Sequence, residues 1–242
     1  MSLTVHLFAC LSDNYGFLVR DDATGAVACV DTPDADAVLK ALSELGWGRL
    51  DLILNTHWHP DHTQGNAAVQ AATGCQIVGP EEVRKAAPLD RVVAGGDVVT
   101  LGQSRFEVTD TPGHTLGHVV FRAADDDLAF VGDTLFPLGC GRLFEGTPEQ
   151  MWDSLQAISA WPDQTVLYGA HEYTAANARF ALTLDDRPEM IAHARSIFEK
   201  RERGEPTEPT TLKVEKAFNP FLRAANAQDF AARRAAKDDF KG

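Results

Sequence analysis

The run His57-Trp58-His59-Pro60-Asp61-His62 places three imidazoles and a carboxylate within six positions. Few physical tasks need that density of such groups. Imidazole nitrogen and carboxylate oxygen are the donors that hold Zn²⁺ and related ions in catalytic sites. His57 and His59 are two apart and point the same way in an extended segment. Asp61 and His62 follow a proline and belong to a turn. Delivering all four to one ion is awkward, so two ions, each completed by residues far along the chain, is the easier geometry. Three such residues occur at predicted strand ends. They are His114 in Thr111-Pro112-Gly113-His114-Thr115, Asp133 after Phe130-Val131-Gly132, and His171 after Val166-Leu167-Tyr168-Gly169-Ala170. A single His or Asp at a strand end is more often a cap or a surface group. Three of them beside the dense cluster point to metal chemistry.

The positioning elements follow from local pattern. Leu50–Asn55 reads as a buried strand leading into the cluster, and the segment from Thr63 reads as the start of a helix. The donors then sit on a strand-to-helix loop, where rigid scaffolds commonly present function. Ala26–Val30 is a short strand. Thr32-Pro33 supplies an N-cap and a first-turn proline, Val38, Leu39, Leu42 and Leu45 follow at helical spacing, and Gly46 is the stop. Strands are expected at Cys75–Val78, Asp97–Leu101, Phe106–Thr109, His118–Arg122, Leu128–Val131 and Thr165–Gly169, separated by turn residues. Thr147-Pro148-Glu149-Gln150 is a capping box opening a helix with Met151, Trp152, Leu155 and Ile158 on one face. After His171 the pattern is helical. It breaks near Asp185–Pro188, crosses an exposed linker at Gly204–Pro209, and ends in a helix over about Ala224–Lys237, with no strand signal. The chain therefore divides into an α/β domain, 1–173, and a small helical domain, 174–242.

Composition narrows the partners. The net charge of −13 argues against nucleic acid. No apolar run is long enough for a membrane span, and the N-terminus lacks a secretory pattern. The four cysteines are scattered without a CxxC pair, as expected of reduced thiols in a cytoplasmic protein. No nucleic-acid or membrane partner and a monomeric state are expected. Residues 175–242 nevertheless hold 13 Lys/Arg against 11 Asp/Glu, whereas residues 1–174 hold 9 against 24.

The His-x-His-x-Asp-His motif, the Pro-Gly-His-Thr turn, Gly132-Asp133-Thr134-Leu135-Phe136 and Ala170-His171-Glu172-Tyr173-Thr174 resemble the metallo-β-lactamase superfamily. The closest resemblance is to its glyoxalase II (hydroxyacylglutathione hydrolase) family. It runs nearly end to end and includes Ser12-Asp13-Asn14-Tyr15, Cys140–Thr147 and Asn219-Pro220-Phe221-Leu222-Arg223. The resemblance implies an αββα sandwich with a small C-terminal helical domain and a site for two divalent ions. His57, His59 and His114 would hold one; Asp61, His62 and His171 the other; Asp133 would bridge, with Asp61 and Asp133 as the catalytic carboxylates. Zn²⁺ suits these donors, and Fe and Mn also bind His/Asp sites. The implied activity is hydrolysis of S-D-lactoylglutathione to D-lactate and glutathione, a step of methylglyoxal detoxification, with Arg142, Phe144, Tyr173, Arg234 and Lys237 contacting the glutathione moiety. His118 is expected to support the site rather than ligate.

The chemistry agrees with the residues. Two divalent cations outweigh two carboxylates, so an anionic carbonyl substrate is attracted. A thioester suits such a site because its thiolate leaving group has a conjugate-acid pKa of about 8.5 and needs no strong general acid. Arg234 and Lys237 are three apart and share a helix face, giving the basic C-terminal segment a purpose. Two residues depart from some family members: Arg142 replaces a lysine, and Phe144 replaces a tyrosine and its hydroxyl. The competing readings are a mononuclear iron persulfide dioxygenase, which would need neither His171 nor the long C-terminal segment, and a non-catalytic metal-binding protein on the same fold. A metallo-nuclease fits poorly with the acidic balance, and a lactamase poorly with the missing export signal.

Overall fold

The structure, a computed structural model, describes residues 2–242. It contains two compact units. One comprises the chain up to Asp110 with Gly117–Gly132, the other Thr111–Leu116 with Asp133–Gly242.

The first unit carries strands β1 (Leu3–Cys10), β2 (Asn14–Asp21) and β3 (Val27–Val30), helix α1 (Ala35–Glu44), β4 (Leu52–Leu54), the single-turn α2 (Pro60–Thr63), α3 (Asn66–Thr73), β5 (Gln76–Gly79), β6 (Arg91–Val92), β7 (Val98–Leu101), β8 (Ser104–Asp110), β9 (Val119–Ala123) and β10 (Leu128–Gly132). β1 to β6 lie side by side in chain order, antiparallel through β3 and parallel from β3 to β6. β3 and β4 are short runs of apolar residues, the pattern of parallel strands covered on both faces. Val38, Ala41 and Leu42 of α1 and Val69 of α3 close over Leu18, Val27, Cys29, Ile53 and Ile77 on one side of this sheet. β7 to β10 form an antiparallel meander. Phe130 of β10 meets Phe17 of β2 at 5.5 Å and Phe106 of β8 at 6.4 Å, so aromatic rings fill the space between the two sheets.

The second unit holds β11 (Leu135–Phe136), β12 (Gly139–Cys140), α4 (Pro148–Ser159), β13 (Val166–Gly169), α5 (Thr174–Ala181), α6 (Pro188–Glu202), β14 (Thr210–Thr211), α7 (Leu212–Phe218) and α8 (Ala227–Asp239). β11 and β12 make a tight hairpin, and β13 pairs with β14. α5 and α6 share a core of Ala178, Ala181, Met190, Ala194 and Ile197 around Leu138. Trp152 of α4 packs on Phe230 of α8 at 6.2 Å.

Several local expectations change. α1 is capped by Asp34, whose carboxylate accepts from Ala37 N. Thr32 is buried instead and donates to Asn66 Oδ1. The chain after the His cluster makes one turn, breaks at Gln64-Gly65 and restarts as α3. Gly65 sits there because a Cβ would lie 2.7 Å from the Thr32 carbonyl oxygen. The β1–β2 hairpin was not among the expected strands; its turn, Leu11-Ser12-Asp13, carries no glycine or proline. Thr207 and Glu208, read as exposed linker, are buried, and Thr210–Thr211 is a strand because it pairs with Val166–Leu167. The capping box at Thr147 and Gln150 is present with both hydrogen bonds. All four cysteines are free thiols, and no helix among the described residues is long and apolar enough to cross a membrane.

Candidate metal centre and adjoining pocket

In the first unit the β3–β4 register pairs Val30 with Leu54, so Asp31 and Asn55 leave the sheet side by side. Asp31 is buried with φ +56°. Its Oδ1 accepts from Thr56 N, and its Oδ2 accepts from Thr56 Oγ1 and His62 Nδ1, each at 2.8 Å. A carboxylate only accepts, so the proton of His62 is on Nδ1 and Nε2 carries the lone pair. Thr56 has spent its only hydroxyl proton on Asp31, so at 3.1 Å it accepts from His57 Nδ1. His57 is thereby set in the same tautomer, its Nε2 3.0 Å from His59 Nδ1. One buried carboxylate thus orients two imidazoles, the arrangement that supports metal-ligating histidines. Asn55 Nδ2 donates to the His62 carbonyl, and Asn66 donates back to Asn55, which locks the loop. Asp61 has its carboxylate held by Asn14 Nδ2 at 3.1 Å, and its Oδ2 lies 3.7 Å from His62 Nε2. The His118 ring is buried and stacks on His57, centroids 4.8 Å apart.

The second unit brings its own three predicted donors together. His114 Nδ1 is 2.8 Å from the Arg142 carbonyl oxygen. A carbonyl can only accept, so Nδ1 is protonated and Nε2 is the lone-pair nitrogen. That Nε2 lies 3.3 Å from Asp133 Oδ2, and His171 Nε2 lies 3.4 Å from Asp133 Oδ1. Asp133 is 7% exposed. A lone pair facing a buried carboxylate oxygen is repulsive unless a proton or a metal cation lies between them. The donor chemistry of His114 and Asp133 therefore fits a bound cation, and His171 offers a further donor at the other carboxylate oxygen. Gly141 makes this possible: a Cβ there would fall 2.0 Å from the Asp133 carbonyl oxygen and 3.1 Å from His114 Nδ1. Gly113, at φ +150°, lets the His114 loop approach Met151 of α4. Tyr173 stacks flat on His171, centroids 4.7 Å apart at 2°.

A cavity of about 420 Å³ opens beside Asp133 in the same unit. All five residues expected to contact glutathione, Arg142, Phe144, Tyr173, Arg234 and Lys237, line it, as do Phe136, Cys140 and Phe240. They differ in availability. Phe144 is 63% exposed and stands edge-on to His114. Arg234 is only 5% exposed: its Nη1 donates to the Cys140 carbonyl, its Nη2 to Asp238 Oδ1, and its guanidinium lies 5.1 Å over the Phe221 ring. Arg142 Nε is 3.6 Å from the same Asp238 oxygen. Burial lowers the pKa of Lys237, and Arg234, Arg179 and Arg142 push it the same way against Asp238. Burial also pushes the Cys140 thiol up to about 11, against the pull of Arg234, which disfavours its thiolate form.

Sequence reasoning did not single out Asp31, Asp238 or Phe240. Asp31 has the same signature as Asp133, an acid directly after an apolar strand, and could have been found that way. Asp238 and Phe240 carried no signal apart from sitting beside Lys237.

Imidazole and carboxylate donors at strand ends of a two-sheet α/β frame define a metal-dependent class of protein. Residues 18–171 match the family model of the metallo-beta-lactamase superfamily, and residues 172–240 that of the hydroxyacylglutathione hydrolase C-terminus. A hydroxyacylglutathione hydrolase of Erythrobacter litoralis is 50% identical, with 98% of this chain and 100% of the relative covered. One of Maricaulis maris is 52% identical over 91% and 87%. Among solved structures, ETHE1 from Myxococcus xanthus superposes with a TM-score of 0.76 at 25% identity, covering 98% of this chain and 92% of that one. The chain belongs to the metallo-β-lactamase superfamily and, within it, to the hydroxyacylglutathione hydrolase (glyoxalase II) family. Its fold is the αββα sandwich of the superfamily with a small C-terminal helical segment, and the fold and the His/Asp donors support divalent metal binding.

Proposed function

We propose that the protein is a binuclear metal-dependent thioester hydrolase that cleaves S-D-lactoylglutathione to D-lactate and glutathione. The observation that carries this reading is Asp133, with an imidazole Nε2 against each carboxylate oxygen, beside a pocket lined by three cationic side chains. A carboxylate flanked on both oxygens is suited to bridge two cations. In this reading, as the family resemblance implies, His57, His59 and His114 would hold one ion, Asp61, His62 and His171 would hold the other, and Asp133 would serve both. Zn²⁺ fits the set, with Fe and Mn as alternatives. Bound divalent ions would lower the pKa of a water and polarise the thioester carbonyl.

The chain's own residues supply orientation and recognition. Asp31 fixes the tautomers of His57 and His62, the Arg142 carbonyl fixes that of His114, and Asn14 holds Asp61. Arg142, Arg234 and Lys237 offer positive charge to the carboxylates of glutathione in a molecule whose net charge is −13. Phe144 and Tyr173 give the pocket aromatic walls. The thiolate leaves without a strong general acid. Residues 1–173 then act as the catalytic part, which also lends Arg142, Phe144 and Tyr173 to the pocket, and residues 174–242 act as the substrate-binding part through Arg234 and Lys237, in a monomer. The free thiols suit the reducing cytoplasm.

The test is direct. Purified protein should hydrolyse S-D-lactoylglutathione, lose activity to a chelator and regain it with added metal. An active metal-free preparation would contradict the mechanism. Asp133→Ala should leave fewer than two ions per chain, and two full sites in that variant would exclude bridging. Replacing Arg234 and Lys237 by Ala should raise KM with little change in kcat, and an unchanged KM would remove them from glutathione recognition.

A further inference from the structure

Lys237 occupies an unfavourable place for a cation. It is half-buried, and Arg234 of its own helix, Arg179 of α5 and Arg142 of the loop after β12 all oppose its charge. Asp238 favours it, but the Asp238 carboxylate is already shared between Arg234 and Arg142. One hydrogen bond, from Nζ to the Ala176 carbonyl oxygen at 3.2 Å, anchors it. The rest of its surroundings are aromatic. Nζ lies 5.7 Å from the Phe180 ring centroid and 5.6 Å from that of Phe240, and the two rings meet edge-on at 5.5 Å. Both distances are within the range at which a ring's quadrupole attracts an ammonium, and the attraction grows as water is excluded. Phe240 also lines the pocket beside Lys237, one residue beyond the end of α8.

We propose that the rings of Phe180 and Phe240 form an aromatic cage that keeps the Lys237 ammonium charged and held at the pocket wall as a receptor for a substrate carboxylate. Phe240 is then a positioning residue for recognition. This rests on the hydrolase reading for the identity of the substrate, while the cage itself concerns the resting protein. Three neighbouring guanidiniums favour loss of the Lys237 proton. Two π-faces and one carbonyl join Asp238 in favouring its retention, and none of these three is a carboxylate that would compete with the substrate.

The experiment compares the native metal-loaded protein with Phe240→Leu and Phe240→Trp. Phe240 is chosen over Phe180 because Phe180 is a core residue whose loss would damage folding. Lysines are ¹³C-methylated and the Lys237 resonance, assigned with Lys237→Arg, is titrated by NMR. Removing one ring should lower the Lys237 midpoint by about half a pH unit and raise KM for S-D-lactoylglutathione about fivefold. The value of kcat should stay within about a factor of two of native, and Trp should restore both quantities. The alkaline limb of kcat/KM should move down in pH with the midpoint. A Leu variant with an unchanged midpoint, or with an unchanged KM, overturns the proposal. If the native protein fails to turn over the thioester, the hydrolase reading falls, and the NMR midpoint still decides the cage.

Discussion

The tautomers of three histidines can be derived one by one from groups with a single hydrogen-bonding choice. Asp31 accepts, Thr56 has one proton to give, and the Arg142 carbonyl accepts. Together they leave Nε2 of His57, His62 and His114 as lone-pair nitrogens. Asp31→Asn keeps the shape and breaks the logic, because its amide nitrogen must donate where the carboxylate accepted. We expect metal affinity to fall by about 10- to 100-fold, measured by competition with a chelator. Native affinity in that variant would remove Asp31 from control of the site. Gly141→Ala tests the close approach instead. Its Cβ would land on backbone, which cannot swing away as a side-chain tip can, so both the melting temperature and bound metal should drop. A variant matching the native protein in both would mean the loop can shift at little cost. The seven candidate donors stood out in the sequence because metal-type side chains at strand ends are rare in such number. Asp31 was passed over although it follows an apolar strand as Asp133 does, because it is one acid among 35 acidic residues and has no dense motif around it.

The pocket wall depends on how one short element is held. β11–β12 is two residues per strand, too little to be stable alone, yet it carries Phe136 and Cys140. Asn219 Nδ2 donates to the carbonyls of Phe136 and Gly139 and to Glu215 Oε2, and that Glu215 oxygen also accepts from Leu138 N. Glu215 and Asn219 are fully buried, so the bracket is deep in the second unit. Asn219→Ala would leave two carbonyls unpaired in the interior, at a cost of about 2–3 kcal/mol. Denaturant unfolding should show that loss, and KM should rise as the hairpin loosens. Full stability would mean that water replaces the amide. Helices α4, α5, α6 and α8 were readable from caps, breaks and spacing. The bracket was not, since its partners lie some 80 residues apart in the chain. The buried Thr207–Glu208 segment was misread for the same reason: Gly and Pro signal a turn locally, and burial is set by distant packing.

At the scale of the chain, composition correctly indicated an acidic protein with a basic C-terminal segment, but it said nothing of which acids hold the sheets together. Asp21, at the end of β2, is fully buried. It accepts from Thr24 N and Oγ1 on one oxygen, and from Gln103 N, Ser104 N and Ser104 Oγ on the other, joining the first sheet of the first unit to the β7–β8 turn of the second sheet. Burial alone would raise its pKa, but the hydrogen bonds from Ser104, Thr24 and Gln103 outweigh it and hold the carboxylate at about 2, below its ordinary 3.8. A folded-state pKa below the unfolded one means stability that is complete above about pH 4 and is lost as pH falls through about 2. The difference is worth about 2 kcal/mol. Metal ligands also protonate in acid, so the comparison belongs on metal-free protein, native against Asp21→Asn, by urea unfolding at pH 7, 4 and 2.5. The variant should be less stable by about 2 kcal/mol at pH 7, and the gap should shrink toward pH 2.5 as the unfolded chain takes up the proton that the native carboxylate still resists. A gap that stayed constant across that range would show that the five donors act through shape rather than through the charge they surround.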